Sequence, residues 1–429
     1  MLVLVAFMAG RLPRLSCLAF AAVLLGMARP GHAQLEYRLT AGSSAGISNT
    51  SESRPGAAAA EQTDFLLIAR AGAQVDYTSR LTHSQAAYLF AATWWVRGTQ
   101  SNSLSHMLNL SSVIQSSAAT QVTLGASATL SQLSLGDTVA TANPQTFGAI
   151  PAGTQEFAAV DANEAFTWQV NSAWRLDQML DGRLYRPIGD NPGTAQNESL
   201  VLALGIARTW LRDQAGLRTR VGVIEIGEAA PAGAPVIPGY KGEFAEALLS
   251  WRRDWTPTWT SELGAGAFVL HVPGSNVGPT PAGSATVSYR NTGQELELRV
   301  ARTVDPNVYV GAALERDLVS LRAALPIGRW QAFHLDAMAD LEHDSGAGTL
   351  GGPTTTADIF FLQAGASYQP GNMFMYRLQY MFRDQFSASV APGTSPFAAF
   401  RQQTAMFTIE VHYPTGVQLA EPFPIRLRI

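Results

Sequence analysis

One pattern recurs along this chain and narrows its fold more than any other feature: apolar and polar side chains alternate over segments far longer than an ordinary strand. Phe65, Leu67, Ala69, Ala71, Ala73, Val75 and Tyr77 share one face, while Arg70, Gly72, Gln74 and Asp76 fall on the other. The same alternation runs through Val122–Leu130, Phe166–Trp174, Trp259–Val269, Leu296–Val300, Phe333–Leu341, Phe374–Phe382 and Ala405–Tyr413. Successive side chains of a strand point to opposite faces, so each segment has one apolar and one mostly polar side. Strands of soluble sandwiches usually span about five or six residues. These run to about ten or more, the length that crosses a bilayer at a tilt. Lipid offers no water to unpaired backbone groups, so spanning strands must close on themselves. The expected fold is all-β: a transmembrane, antiparallel, up-and-down β-barrel.

Composition agrees. Charged residues make up 14% of the chain, against about 25% in soluble proteins, which implies a large surface that does not face water. Mean hydropathy is only +0.05, and after residue 33 no apolar run is long enough for a helical span. Before it, Arg11 and Arg14 precede the apolar run Leu15–Met27, and Gly31-His32-Ala33 places small residues around a cleavage point. This is the layout of a secretory signal peptide, so residues 1–33 are expected to be removed, leaving a barrel over 34–413 and a periplasmic tail over 414–429. The single cysteine, Cys17, precedes the cut, which rules out disulfides and thiolate metal sites in the remainder. Without Arg11, Arg14 and Arg29 the net charge falls from −4 to −7, so nucleic acid is not an expected partner.

Polar connections alternate between short and long. Short ones fall near Ser79–Thr82, Ser116–Thr120, Arg212–Ala215, Asp254–Thr258, Asn291–Gln294, Gly328–Arg329 and Pro370–Asn372. Long ones fall near Asn49–Thr63, Leu133–Gln155, Glu228–Gly242, Val272–Pro281, Val304–Ala313, His343–Thr356 and Ser387–Phe400. Short periplasmic turns and long outer loops are the outer-membrane arrangement. The count is about eighteen strands, or sixteen if the weak segment Asp177–Ile188 and a partner are left out. Trp174, Trp210, Trp251, Trp259 and Trp330 lie beside short links and Trp94 near the opposite rim, with Tyr413 closing the last strand. They are the expected aromatic girdle, because amphipathic rings prefer the membrane interfaces.

Parity also names the side chains expected on the inner wall. The basic ones are Arg70, Arg218, Arg220, Arg299, Arg322, Arg377 and Arg383. The acidic ones are Asp76, Glu246, Glu262, Glu295, Glu297, Asp336, Asp340 and Glu410. Charges of both signs across an aqueous bore set its field and selectivity, and as Arg–carboxylate pairs they also stiffen the wall. Near-balance of sign argues against strong ion selectivity. No catalytic constellation emerges, and no enzyme activity, cofactor or metal is expected. Gly42-Ser43-Ser44-Ala45-Gly46 has the letters of a nucleophile elbow but lacks the strand–helix context that the chemistry needs. His334 with Asp336 and Asp340 reads as solvated lining rather than a metal site.

The stretch Ala285–Pro306 resembles a hairpin found in a family of Gram-negative outer-membrane barrels, and Asp317–Trp330 and Tyr37–Gly42 are similar. Some such barrels, of about eighteen strands, are associated with exopolysaccharide secretion and work with periplasmic export proteins. The resemblance implies an outer-membrane pore, either a conduit for secreted polysaccharide or a porin-like solute channel, with membrane lipid around it. The alternative is a structural or adhesive surface barrel with binding loops and no open pore.

Overall fold

The computed structural model describes residues 34–413, apart from 53–59, 99–101, 134–154, 189–195, 229–238, 273–274, 308–311, 328–331, 347–354, 372 and 390–398. The expected signal peptide, the tail over 414–429 and Trp330 lie outside the described residues. Eighteen strands follow one another: β1 (Gln34–Glu52), β2 (Ala60–Thr78), β3 (Thr82–Trp95), β4 (Ser103–Ser117), β5 (Thr120–Leu133) and β6 (Gln155–Gln169). Next come β7 (Trp174–Pro187), β8 (Asn197–Trp210), β9 (Asp213–Ile226), β10 (Tyr240–Asp254), β11 (Trp259–Val272) and β12 (Ser275–Asn291). The last six are β13 (Gln294–Asn307), β14 (Ala312–Pro326), β15 (Phe333–Gly346), β16 (Thr355–Tyr368), β17 (Phe374–Ser389) and β18 (Phe400–Tyr413).

Every strand pairs antiparallel with its chain neighbours, and β18 pairs with β1, Leu39 opposite Tyr413, so the sheet closes without an edge. The chain is a closed eighteen-stranded barrel. The weak segment forms a full strand, β7, paired over its length with β6 and β8, which removes the sixteen-strand alternative. Short links join the strands at one rim, such as Leu211–Arg212 and Thr292–Gly293; the other rim carries most of the longer links, although only two residues separate β11 from β12 there. These are called the turn rim and the loop rim below.

The register assigns each side chain a face, and the two faces stay consistent around the whole barrel. Outward positions carry Leu39, Leu67, Val75, Leu204, Leu249, Leu263, Val300, Leu341, Leu378 and Phe407, all exposed. A contiguous exposed apolar surface of this extent is untenable in water. In a bilayer it is the lipid-facing wall, with backbone groups satisfied between strands. The barrel is therefore transmembrane.

Two long links of the sequence reading are mostly strand. At Val272–Pro281, β12 already begins at Ser275 and pairs with β11. At Val304–Ala313, β13 runs to Asn307 and β14 starts at Ala312. Prolines and glycines suggested loops there. In the first case a register shift opposite Phe268/Leu270 absorbs Gly278 and Pro279, as bulges do. Pro281 has a free flank, because pairing with β13 begins only at Gly283, so its missing N–H leaves no gap.

Candidate functional site

The inner wall is the candidate site, and its character changes along the barrel axis. Toward the loop rim, closely packed apolar patches stand among charged side chains. Val201, Ile224, Phe244 and Phe268 belong to one buried cluster contributed by neighbouring strands. Leu66, Ile68, Trp95, Met381 and Met406 form a second across β2, β3, β17 and β18. Phe157 and Tyr185 stack with ring centroids 5.5 Å apart. The polar lining is thus interrupted by apolar patches near this rim. The sequence already carried the signal, since the inner row of β2 sets Leu66 and Ile68 between Asp64 and Arg70.

All fifteen charged residues expected on the inner wall sit at inward register positions. Many meet a partner on another strand. Arg218 lies 2.6 Å from Glu262, Arg220 3.5 Å from Glu246, Arg377 3.2 Å from Asp336 and Arg70 3.9 Å from Glu410. Asp76 accepts hydrogen bonds from Gln74 and Gln85 at 2.7 and 3.1 Å. Glu295 is 3.3 Å from Arg290 at the turn rim. Glu297 faces Arg322, Arg299 faces Ser320, and Asp340 faces Ser320 and Phe361. Arg383 donates to Gln385 at 3.1 Å and lies over the Phe400 ring. Together these pairs fix a ladder of opposed charge along the wall.

The sequence reading missed the densest part of that ladder. Arg316 on β14 lies 2.9 Å from Asp305 on β13 and 3.0 Å from both Glu342 and Asp344 on β15. Arg183 on β7 sits 3.0 Å from Asp181 and 3.8 Å from Asp161. Asp305 and Asp344 fell in segments read as loops, and Asp181 and Arg183 in the weak strand. Their inward parity is the signal that could have found them: Asp305 with Arg299, Asp344 with Asp336 and Asp340, and Asp181 and Arg183 with Asp177.

Side chains also meet across the bend of the wall. Arg220 of β9 donates to Thr303 Oγ1 of β13 at 2.9 Å, and Thr303 donates to Glu246 of β10 at 2.7 Å. Strands that are four apart in order are thus joined directly. They can meet only if the wall from β9 to β13 curls tightly. Small inner residues permit it: a side chain at Gly222 would run into the Phe244 ring. The bore is narrower here than eighteen strands in a round barrel would leave.

The girdle positions among the described residues face outward. Trp94, Trp174, Trp210, Trp259 and Tyr413 are exposed. Trp251 donates its ring N–H to Asp213 at 3.1 Å. At the turn rim Arg208 lies over the Trp174 ring and Arg253 over that of Trp255, 5.8 and 4.6 Å from the centroids. The Gly42–Gly46 stretch lies wholly within β1, where Ser44 is bonded to Thr408 at 2.8 Å. Among the described residues no group of three or more His, Cys, Asp or Glu side chains could hold a metal ion.

No protein-family model and no curated protein matches this chain. Solved structures give weak likenesses. Pseudomonas aeruginosa OccK9 (OpdG) is 13% identical with a TM-score of 0.42, covering 88% of this chain and 98% of that one. P. aeruginosa OccK2 (OpdF), solved in complex with glucuronate, is 10% identical at 0.42, covering 89% and 98%. The ferric-catecholate import receptor Fiu of E. coli K12 is 10% identical at 0.42, covering 86% and 81%. Likenesses of this degree assign no function.

Proposed function

We propose that this chain sits in the outer membrane of a Gram-negative bacterium and passes small polar solutes. The turn rim is periplasmic and the loop rim faces outside. The observation that carries this reading is the ladder of opposed Arg and carboxylate side chains on the inner wall of a closed barrel whose outer wall is apolar. Barrels of about 16–18 strands have room for an aqueous channel. A wall charged with both signs suits hydrated solutes and disfavours strong ion selection.

A polysaccharide conduit working with periplasmic export proteins is the second reading, and it needs a wide, continuous bore. The packed clusters near the loop rim and the Arg220–Thr303 contact favour the narrower solute channel.

Single-channel recording tests it, using the full chain expressed with its N-terminal segment and recovered from the membrane fraction. Discrete conductance steps with a small reversal potential in a salt gradient are expected. Protein that is folded by its β-sheet spectrum yet gives no steps would overturn the channel and favour the surface-scaffold alternative.

A further inference from the structure

The outer wall changes chemistry in one sector of the turn rim. Elsewhere on that rim, among the described residues, the outward strand positions carry no cation; Trp168, Phe333, Tyr368, Phe374 and Tyr413 stand there, exposed. Between β8 and β10 arginines join the rings. Two outward register rows run through this sector. In one, Trp174 faces Arg208, Arg208 faces Ala215, and Ala215 faces Trp251. In the other, one step nearer the turns, Trp210 faces Asp213, Asp213 faces Arg253, and Arg253 faces Ser261. Arg212 stands beside them in the link between β8 and β9.

The two turns of this sector are tied together. The Asp254 N–H donates to the Arg212 carbonyl at 2.9 Å, and Arg212 Nη1 donates to the Trp255 carbonyl at 3.2 Å. Arg253 lies over the Trp255 ring, so two guanidinium groups flank one residue. Trp255 in turn donates its ring N–H to Ser261 at 2.8 Å, which holds it on the outer side. Asp213 is the carboxylate of this face. It accepts the Trp251 ring N–H at 3.1 Å and lies 3.7 Å from Arg253. Its side chain is 19% exposed against 40% for Arg253, so whatever approaches from the membrane meets the base first. Asp254 takes an inward position and pairs with Arg252. Among the described residues neither Arg208 nor Arg212 has an acidic partner. Three arginines against one aspartate leave two positive charges unbalanced, on a chain whose net charge is −4.

We propose that this patch binds one phospholipid with a net-negative headgroup, from the periplasmic leaflet. The inference rests on the membrane placement proposed above, not on the channel. Indole rings settle at the level of lipid headgroups, so guanidinium groups among them stand where the phosphates are. Their paired N–H donors suit phosphate oxygens, and basic clusters at a membrane surface favour anionic lipids. On the membrane side of the arginines the wall is apolar, with Ile206, Leu217 and Leu249 exposed. The small Ala215 leaves a notch between Arg208 and Trp251. Phosphate at Arg212 and Arg253 with an acyl chain over Leu217 and Leu249 gives the lipid the direction that this leaflet requires, head to the turn rim and chain to the membrane centre. An amine headgroup would meet unbalanced bases, because Asp213 is already engaged. A choline headgroup can stack on an indole, but its zero net charge leaves the two positive charges as they were.

The test uses the full chain in vesicles of equal parts phosphatidylglycerol, phosphatidylethanolamine and phosphatidylcholine, followed by gentle detergent extraction and native mass spectrometry. One phosphatidylglycerol per chain is expected to be retained, about fivefold over either of the others. Arg212→Gln with Arg253→Gln should abolish the preference, and Arg212→Lys with Arg253→Lys, which keeps the charge, should retain most of it. Arg80→Gln with Arg290→Gln removes as much charge beside other turns of the same rim and should leave the preference intact. Equal retention of the three lipids by the unaltered chain overturns the proposal, as does equal loss in the patch and control variants. So does displacement of the lipid by an excess of glycerol 3-phosphate, which would make the ligand a soluble phosphate. Vesicles offer every lipid to both rims, so the readout does not depend on which rim is periplasmic. A folded chain that does not float with the vesicles refutes the membrane placement, and the lipid site with it.

Discussion

Two residues show how single positions bear on the barrel's stability. Thr292–Gly293 and Leu211–Arg212 are both two-residue links at the turn rim. Gly293 takes φ +76°, a region open to glycine without cost, whereas Leu211 takes φ +52° with a full side chain. A left-handed non-glycine residue costs about 1–2 kcal/mol, and Leu211 is fully exposed, so packing does not offset that. Leu211→Gly is expected to stabilise the barrel by about 1 kcal/mol, read as a higher urea midpoint in detergent micelles. Arg316 is the opposite case. It stands among Asp305, Glu342 and Asp344, and its loss would leave three carboxylates facing one another in a confined space. Breaking a buried charge cluster from one side costs about 3–5 kcal/mol. Arg316→Met should lower the unfolding midpoint accordingly, with Arg316→Lys recovering part of the loss.

Strands tell where sequence suffices. The β12 bulge implies that Pro279 is an insertion in an otherwise regular ladder. Deleting it alone should leave folding intact, whereas deleting Gly278 and Pro279 together should impair it. A one-residue slip carries every side chain beyond it to the other face. Heat-modifiable electrophoretic mobility of the two deletions separates these outcomes. The same ladder explains what could be read from the chain beforehand. β2 and β18 were legible because lipid on one side and a polar interior on the other impose period two on nearly every residue. β7 was faint because Gln178 and Gly182 interrupt its outward row and four of its inward positions are charged. The upper parts of β12 and β13 were hidden because proline and glycine mark loops and bulges alike. The inward charges followed from parity alone. Their partners did not, since Arg316 with Glu342 or Arg220 with Thr303 depends on curvature that no local pattern records.

At the scale of the whole barrel, charge runs along the axis, and its densest cluster, around Arg316, stands near the loop rim among packed apolar patches. The narrowest passage should lie where the contacts among Arg220, Glu246 and Thr303 join β9, β10 and β13. Removing them with Arg220→Ala and Thr303→Val is expected to raise unitary conductance, with little change in the ion preference that the remaining ladder sets. An unchanged conductance would place the narrowest section elsewhere.

The pairing of β1 with β18 has a further consequence, one of timing. Leu39 meets Tyr413 only after nearly the entire chain has been made. Until then the first strand has β2 on one flank and nothing on the other, and each newly finished strand is open on its far side. Unpaired strand flanks recruit other chains, and closing so long a loop is among the last and slowest contacts a chain can make. Throughout its biogenesis the protein must therefore be chaperoned at two places at once, and the seam, rather than any hairpin, decides when it is finished.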